Sequence, residues 1–141
     1  MLFALSKEVI FGIVFGGVLI LAVGEWMARR NRKRVDRRLL ALAILGSYSV
    51  SIAVLAGIHD RIAKRRGGPI NKVELLTFVT IFAGVCCAWC VYSWRRGYFY
   101  DYFGDRHYRS ESPGTYWFYA TVFMAISGSI IINGIFWAVV N

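Results

Sequence analysis

The chain has 141 residues, of which 57% are hydrophobic, and it carries a formal net charge of +9. This length allows one domain, and the apolar fraction exceeds the usual soluble share of about half. In a soluble protein such a charge would suggest nucleic acid as a partner. Here the basic residues lie between apolar runs, as they do beside membrane spans. We therefore expect an integral membrane protein in contact with the lipid bilayer and not with nucleic acid.

Four apolar runs predict an all-α fold, a four-helix transmembrane bundle that forms a single domain over residues 1–141. Each Leu, Ile, Val or Phe contributes about −0.3 to −0.6 kcal/mol to insertion at a helix centre. The central parts of the runs contain no Asp, Glu, Lys, Arg or His, which argues against proton-coupled transport. A small passive channel or carrier lined by Ser, Thr and Asn stays open. The expected spans are residues 9–27, 38–58, 74–95 and 116–140.

Local signals mark the helix boundaries. Asp36 is a candidate N-cap for the second helix, and Gly67-Gly68-Pro69 ends that helix. Asn71 with Glu74 three residues later forms an Asn variant of the capping box. Ser112-Pro113 reads as an N-cap followed by a first-turn proline before the fourth helix.

Small residues four positions apart recur in the four spans, and each such row predicts close packing between helices. Gly12 and Gly16 form a GxxxG pair that we interpret as an internal packing face, with a homodimer seam as the alternative. Self-association or another membrane protein is the expected protein partner. The predicted packing positions are Gly12, Gly16, Ser47, Ser51, Gly84, Ala88, Ala125, Ser129 and Asn133.

The segment Arg29–Arg38 contains seven cations in ten residues and cannot cross a bilayer cheaply. The two gaps on its side of the membrane hold eleven Lys or Arg residues, against six on the other side. This bias predicts a cytoplasmic location for the first and third gaps, with both termini outside the cytoplasm, in a bacterial inner (plasma) membrane. Anionic lipid headgroups are expected near Arg29–Arg38.

The third gap, residues 96–115, combines aromatic rings with charges of both signs, which predicts a segment in the membrane interface. Tyr and Arg are enriched at binding hot spots, so one interpretation is a recognition surface for a partner or an anionic lipid headgroup. In the other interpretation the rings only anchor the third and fourth helices. The candidate contact residues are Tyr98, Tyr100, Tyr102, Asp105, His107 and Arg109.

Cys87-Ala-Trp-Cys90 is a CxxC motif inside the third span, and Cys86 lies beside it. The six residues Cys87–Tyr92 resemble the quinone-linked thiol oxidases of bacterial membranes. The resemblance implies a thiol-disulfide oxidoreductase, but those enzymes have a second cysteine pair in an aqueous loop, and this chain has none. Apolar surroundings suppress the reactive thiolate, and cysteine packs well as a small residue. We therefore favour a structural role and keep the redox role as the alternative.

No other constellation indicates catalysis, and no catalytic residue, metal or cofactor is expected. His59-Asp60 and the group Asp101, Asp105 and His107 contain metal-ligand types. The predicted topology separates them by roughly 30 Å of hydrocarbon, and the second group is expected to be solvated charge in a loop. The leading prediction is a small membrane protein that acts non-catalytically through protein or lipid contacts: an accessory subunit, or a regulatory or immunity-type protein.

Overall fold

The computed structural model describes residues 6–68, 70–101 and 103–140. Within these residues the chain forms four long helices and one antiparallel β-hairpin between the third and fourth helices. All four helices are long and apolar enough to cross a membrane, so the prediction of four apolar helices is confirmed. The elements are α1 (Lys7–Arg30), α2 (Arg37–Arg66), α3 (Lys72–Arg96), β1 (Tyr98–Tyr100), β2 (Arg106–Tyr108) and α4 (Pro113–Val140).

Side chains and glycines end the helices largely where the sequence predicts. The Asp36 carboxylate accepts a 2.9 Å hydrogen bond from the Arg38 backbone N–H, and Asn71 caps α3 in the same way. Gly67 ends α2 at a φ of 68°, in the left-handed region that glycine adopts without strain. Glu74 differs from the capping-box prediction, because its carboxylate pairs with Arg66 of α2. The two caps and the glycine stop are therefore confirmed, and the reciprocal box is not formed.

Helix α4 is the common neighbour of the other helices. It packs against α1, α2 and α3, while α1 and α2 pack against each other. No described Cα atom of α3 lies within 8 Å of a Cα atom in α1 or α2. Helices α1, α2 and α4 therefore all contact one another, and among the described helices α3 packs against α4 alone.

Helices α1 and α2 approach each other closely at Gly17 and Gly46. A Cβ added to Gly17 would lie 3.1 Å from the Gly46 carbonyl oxygen, and a Cβ on Gly46 would lie 3.0 Å from that of Gly17. By contrast, no described atom comes within 4 Å of a Cβ built on Gly12 or Gly16. The expected internal packing face at Gly12 and Gly16 is therefore wrong, because the helix turns Gly17 toward α2 and those two glycines away from it.

Helix α3 packs along a different stripe from the predicted one. Its buried residues are Val79, Cys86 and Ser93, which recur every seven positions and so follow one side of the helix. Gly84 and Ala88 are exposed, and nothing described lies within 4 Å of a Cβ on Gly84. Gly84 and Ala88 therefore do not pack against a described helix of this chain, because the heptad stripe, and not the four-residue row, faces α4.

The small polar residues of α2 and α4 do lie at the helix contacts. Ser47, Ser51 and Ser129 are buried, while Ala125 and Asn133 are partly buried. The Ser51 hydroxyl donates to the Ser47 carbonyl at 2.7 Å, and the Asn133 amide donates to the Ser129 carbonyl at 2.8 Å. Such bonds within a helix satisfy polar groups that lipid cannot.

Candidate functional site at the basic end

The end of the molecule that contains residues 29–38 and 96–112, here called the basic end, also holds the main apolar core. The side chains of Leu39, Tyr116 and Phe118 are at most 1% exposed. Gly24 of α1 leaves room for the Phe118 ring, since a Cβ there would lie 2.8 Å from the ring. The polar site therefore rests on the most tightly packed part of the fold.

The N-terminus of α4 holds the basic loop between α1 and α2 in place. The Gly114 backbone N–H donates to the Arg32 carbonyl at 2.9 Å, which satisfies one of the unpaired donors at a helix start. A Cβ on Gly114 would lie 2.5 Å from the Arg34 carbonyl oxygen and 2.8 Å from that of Asn31. The loop backbone is thus docked on a glycine. Arg32, Lys33 and Arg34 remain exposed, around an open depression of about 430 Å³.

Ser112 precedes α4 as predicted, and its backbone carbonyl accepts a 3.0 Å hydrogen bond from the Tyr116 N–H, but its side chain bonds elsewhere. Its hydroxyl donates to the Tyr108 carbonyl at 3.4 Å, and Pro113 is the first helical residue, as expected. The loop carbonyl of Arg32 takes the place of a side-chain cap. The contact between Gly114 and Arg32 could not be predicted from the local sequence because these two residues are far apart in the chain.

The segment predicted only as an interfacial loop forms a β-hairpin. Tyr98 pairs with Tyr108, and Tyr100 pairs with Arg106. The turn closes with a hydrogen bond from the Asp101 N–H to the Asp105 carbonyl at 3.0 Å, and Gly104 adopts a φ of 85°. Aromatic residues on both sides of a glycine-containing turn favour a hairpin. That signal was present in the sequence.

Asp101 is the central polar residue of the site, although the sequence indicated only a residue of metal-ligand type in a solvated loop. Its side chain is fully buried. One carboxylate oxygen accepts 2.9 Å hydrogen bonds from the backbone N–H groups of Phe103 and Asp105. The other oxygen lies 2.9 Å from an Arg29 guanidinium nitrogen and 3.0 Å from His107 Nε2. The expectation of a solvated loop charge is therefore wrong for Asp101, because four donors replace water.

The pKa of Asp101 reflects these opposing contributions. Burial alone would raise the pKa of the carboxyl group, because it disfavours the charged form. The hydrogen bond from His107 and the backbone N–H groups of Asp105 and Phe103 outweigh burial and hold the pKa below its usual range. Asp101 is therefore a carboxylate at neutral pH, and the Arg29 guanidinium balances its charge.

The network extends from Asp101 to α1 and α4. The Arg29 side chain also donates to Glu25 at 3.0 Å, and Tyr119 of α4 interacts with both Arg29 and Glu25. The His107 ring stacks on the Tyr119 ring, with centroids 5.4 Å apart and planes inclined by 23°. The hairpin is thus tied to α4, which follows it in the chain, and to α1, which is 72 positions away at the Arg29–Asp101 contact.

Some of the predicted contact residues are buried and stabilise the hairpin, and others are exposed on its surface. Tyr98 is buried and His107 is half-buried, whereas Asp105 and Arg109 are exposed and Tyr100 is 39% exposed. Tyr102 lies outside the described residues. Asp105 contributes backbone groups to the turn and has an exposed side chain. Phe103, which the sequence analysis did not select, is 81% exposed at the hairpin turn.

Several guanidinium groups at the basic end lie over aromatic rings, an arrangement that is attractive and limits side-chain motion. Arg96 also donates a 3.0 Å hydrogen bond to the Tyr98 hydroxyl, which lowers the pKa of Tyr98. The pairs, with guanidinium-to-centroid distances, are Arg30–Trp26 (5.4 Å), Arg96–Tyr92 (4.7 Å), Arg106–Tyr98 (5.2 Å) and Arg109–Trp94 (4.8 Å).

The other residues considered for chemistry lie elsewhere. Cys87 is exposed and Cys90 is partly buried, and both are free thiols. His59 packs its ring against Trp137 near the opposite end of α4. Tyr119, which contacts His107, lies eighteen residues before Trp137 on that helix, a distance of about 27 Å at 1.5 Å per residue. His59 and His107 therefore belong to opposite ends of the molecule.

Fold and site together define a small helical protein with four helices able to span a membrane and an arginine-rich, hydrogen-bonded end. Comparison of the chain with protein-family models, with curated proteins and with solved structures finds no match in any of the three. The function therefore has to be inferred from the geometry of the site.

Proposed function

We propose that this protein is a non-catalytic integral membrane protein that binds an acidic segment of another membrane protein through its basic end. Such a role fits an accessory subunit, or a regulatory or immunity-type protein. The excess of Lys and Arg at this end supports a cytoplasmic position for it, with both termini on the opposite side of a bacterial inner membrane.

The buried Asp101 carboxylate is the observation that carries this proposal. Its four hydrogen-bonded contacts fix the turn that displays Phe103, which is 81% exposed, and Tyr100. These outward side chains add little to the core of their own chain. A loop held rigid before binding loses less conformational entropy when a partner arrives. The network therefore supports the hairpin as a preorganised contact surface.

The cations of the basic end indicate the chemistry of the partner. Arginine presents a planar fork of donors that matches a carboxylate in two places, whereas lysine acts as a mobile point charge. The carboxylates of Glu25 and Asp101 are already engaged with Arg29. The remaining cations outnumber the other carboxylates of this end, Asp36, Asp105 and Glu111, and the carboxylate side chains of a partner match their geometry. These cations are one lysine and nine arginines: Lys33, Arg30, Arg32, Arg34, Arg37, Arg38, Arg95, Arg96, Arg106 and Arg109.

A photo-crosslinking amino acid at position 103 tests the proposal in intact cells. We expect a discrete protein adduct at this position. The matched control is the same amino acid at Phe136 of α4, which is 62% exposed at the other end of the chain, where we expect lipid adducts.

The variant Arg106→Glu separates specific recognition from mere proximity. Arg106 lies on β2, over the rings of Tyr98 and Tyr100, so a reversed charge there should repel an acidic partner. We expect the protein adduct at position 103 to fall at least tenfold while membrane levels stay constant. Lipid adducts alone at position 103, unchanged by Arg106→Glu, would leave anchoring in the headgroup layer as the role of the hairpin.

A further inference from the structure

A groove with a volume of about 240 Å³ lies at the end of the molecule opposite the basic end. It is here called the α2–α4 groove, and it runs between the C-terminal part of α2, the start of α3 and the last turns of α4. Its lining residues are mainly apolar, with a polar rim. They include Leu55, Ile58, His59, Ile62, Arg66, Glu74, Leu75, Phe78 and Trp137.

The helix packing explains why the groove exists. A Cβ on Gly134 would lie 2.5 Å from a Val79 methyl carbon, so α3 and α4 meet closely at this glycine. Helix α2 stays in contact with α4, where His59 packs edge-on against Trp137 with ring centroids 5.7 Å apart. Since the backbones of α2 and α3 make no helix contact, space remains between them.

The walls of the groove suit hydrocarbon better than water. Ile58 and Phe78 belong to helices that are apolar enough to span a membrane, and a buried water needs two to four polar partners. The volume is about eight times the roughly 30 Å³ that one water occupies in the liquid. It is below the roughly 300–1,000 Å³ of pockets that enclose drug-sized ligands. A slender chain is therefore the ligand that fits.

The charges beside the groove select the headgroup of that ligand. Both carboxylates of this region are already paired, Asp60 with Lys64 and Glu74 with Arg66. Within the described part of the chain, three more cations form no ion pair and lie within two positions of the lining residues Ile62, Arg66 or Glu74 in the sequence. They are Arg61, Arg65 and Lys72. Arg66 itself lines the groove and has donors beyond those that one carboxylate uses. The rim is therefore complementary to an anion.

We propose that the α2–α4 groove binds one acyl chain of an anionic phospholipid, with the lipid phosphate at Arg66. The chain occupies the space between α2, α3 and α4, and the surrounding cations neutralise the headgroup. This site is independent of the recognition surface at the basic end. It lies in the opposite leaflet and would persist if that proposal failed.

Native mass spectrometry of the full-length protein in detergent tests this proposal. The probes are phosphatidylglycerol and phosphatidylcholine with identical acyl chains. We expect one phosphatidylglycerol to be retained in preference to phosphatidylcholine by at least tenfold. Equal retention of the two lipids, or no retained lipid, would overturn the proposal.

Two variants, each with a control, test separately the binding of the acyl chain and of the headgroup. Ile62→Trp fills the groove, and we expect it to abolish retention of either lipid, whereas Ile132→Trp on the exposed surface of α4 should leave retention unchanged. Arg66→Gln should reduce the preference for phosphatidylglycerol to near unity, and Arg38→Gln at the basic end is its control. Retention that survives Ile62→Trp in a folded protein would exclude the groove as the site.

Glu74→Gln gives a result that a purely structural role for the ion pair cannot produce. It removes the carboxylate that competes with phosphate for Arg66. We expect retention of phosphatidylglycerol to increase several-fold. A decrease would show that the ion pair only supports the helices and would contradict a phosphate site at Arg66.

Discussion

The two ends of α4 are built in different ways. At the basic end, a backbone hydrogen bond joins its N-terminus to the loop after α1, and its Tyr119 ring stacks on His107 of the hairpin. The buried Asp101 carboxylate joins that hairpin to Arg29 of α1. At the other end, its last turns contact α2 and α3 separately, and an open groove remains between those helices. Polar connections fix one end, while apolar packing around a gap forms the other. One end is thus suited to present a rigid surface and the other to admit a flexible ligand.

Asp101→Asn should produce the largest loss of stability at the basic end. It removes the charge that Arg29 and His107 face while it preserves the size of the side chain. We expect a cost of about 3 kcal/mol, at the low end of the range for a broken buried ion pair, because Arg29 keeps its bond to Glu25. Thermal unfolding in detergent measures this. Asp105→Asn, at an exposed side chain of the same turn, is the control, and equal effects of the two changes would refute the role of Asp101.

Protonation of Asp101 at low pH should reproduce part of the stability loss expected for Asp101→Asn. The pKa of Asp101 lies below its usual value in the folded protein, so its contribution is complete above the unfolded pKa of about 3.9. That contribution disappears as pH falls through the lower, folded value. We expect hydrogen exchange in residues 98–108 to accelerate only below about pH 4. Asp101→Asn should lack this acid transition, and an acceleration near pH 6 would point to a different titrating group.

Gly114→Ala should separate the basic loop from α4. The added methyl group would meet three backbone carbonyl oxygens of the loop, which cannot rotate away as a side chain can. We expect a loss of about 2 kcal/mol, typical of overpacking, and faster proteolysis of residues 31–36. Gly128→Ala in the same helix, where no described atom lies within 4 Å of the new methyl group, should be neutral or stabilising. A neutral Gly114→Ala would mean that the loop is not docked on this glycine.

Gly134→Ala should have a smaller effect at the groove end. Its new methyl group would meet the side chain of Val79 and not a backbone atom, so a change of rotamer can relieve part of the clash. We expect a cost of about 1 kcal/mol, the mild limit of overpacking, in the same unfolding assay. A cost above that of Gly114→Ala would reverse the comparison between the two ends.

The sequence predicts the elements of this protein better than their contacts. The apolar runs, Asp36, Asn71 and Gly67 define the helices because insertion and capping depend on local residues. The contact between Arg29 and Asp101 joins residues 72 positions apart. Nothing local distinguishes Asp101 from Asp105, so only the folded chain shows which carboxylate is buried.

The glycines show the same limit for helix packing. Gly12, Gly16 and Gly17 all allow close approach by composition, but only Gly17 faces another described helix. Which side of a helix is covered depends on where its neighbour lies, and that is a property of the whole fold. The hairpin is a different case, since its aromatic strands and Gly104 were visible locally and were interpreted only as an interfacial loop.

The dependence of α3 on α4 has a consequence for biosynthesis. A ribosome delivers α1 and α2 first, and these two helices can pack together at Gly17 and Gly46 as soon as both are made. Helix α3 is then joined to α2 by the Arg66–Glu74 ion pair but packs against no described helix until Pro113–Val140 emerges, and the hairpin cannot yet contact Tyr119. A chain stopped before Pro113 therefore leaves the apolar surface of α3 that faces α4 without its partner helix.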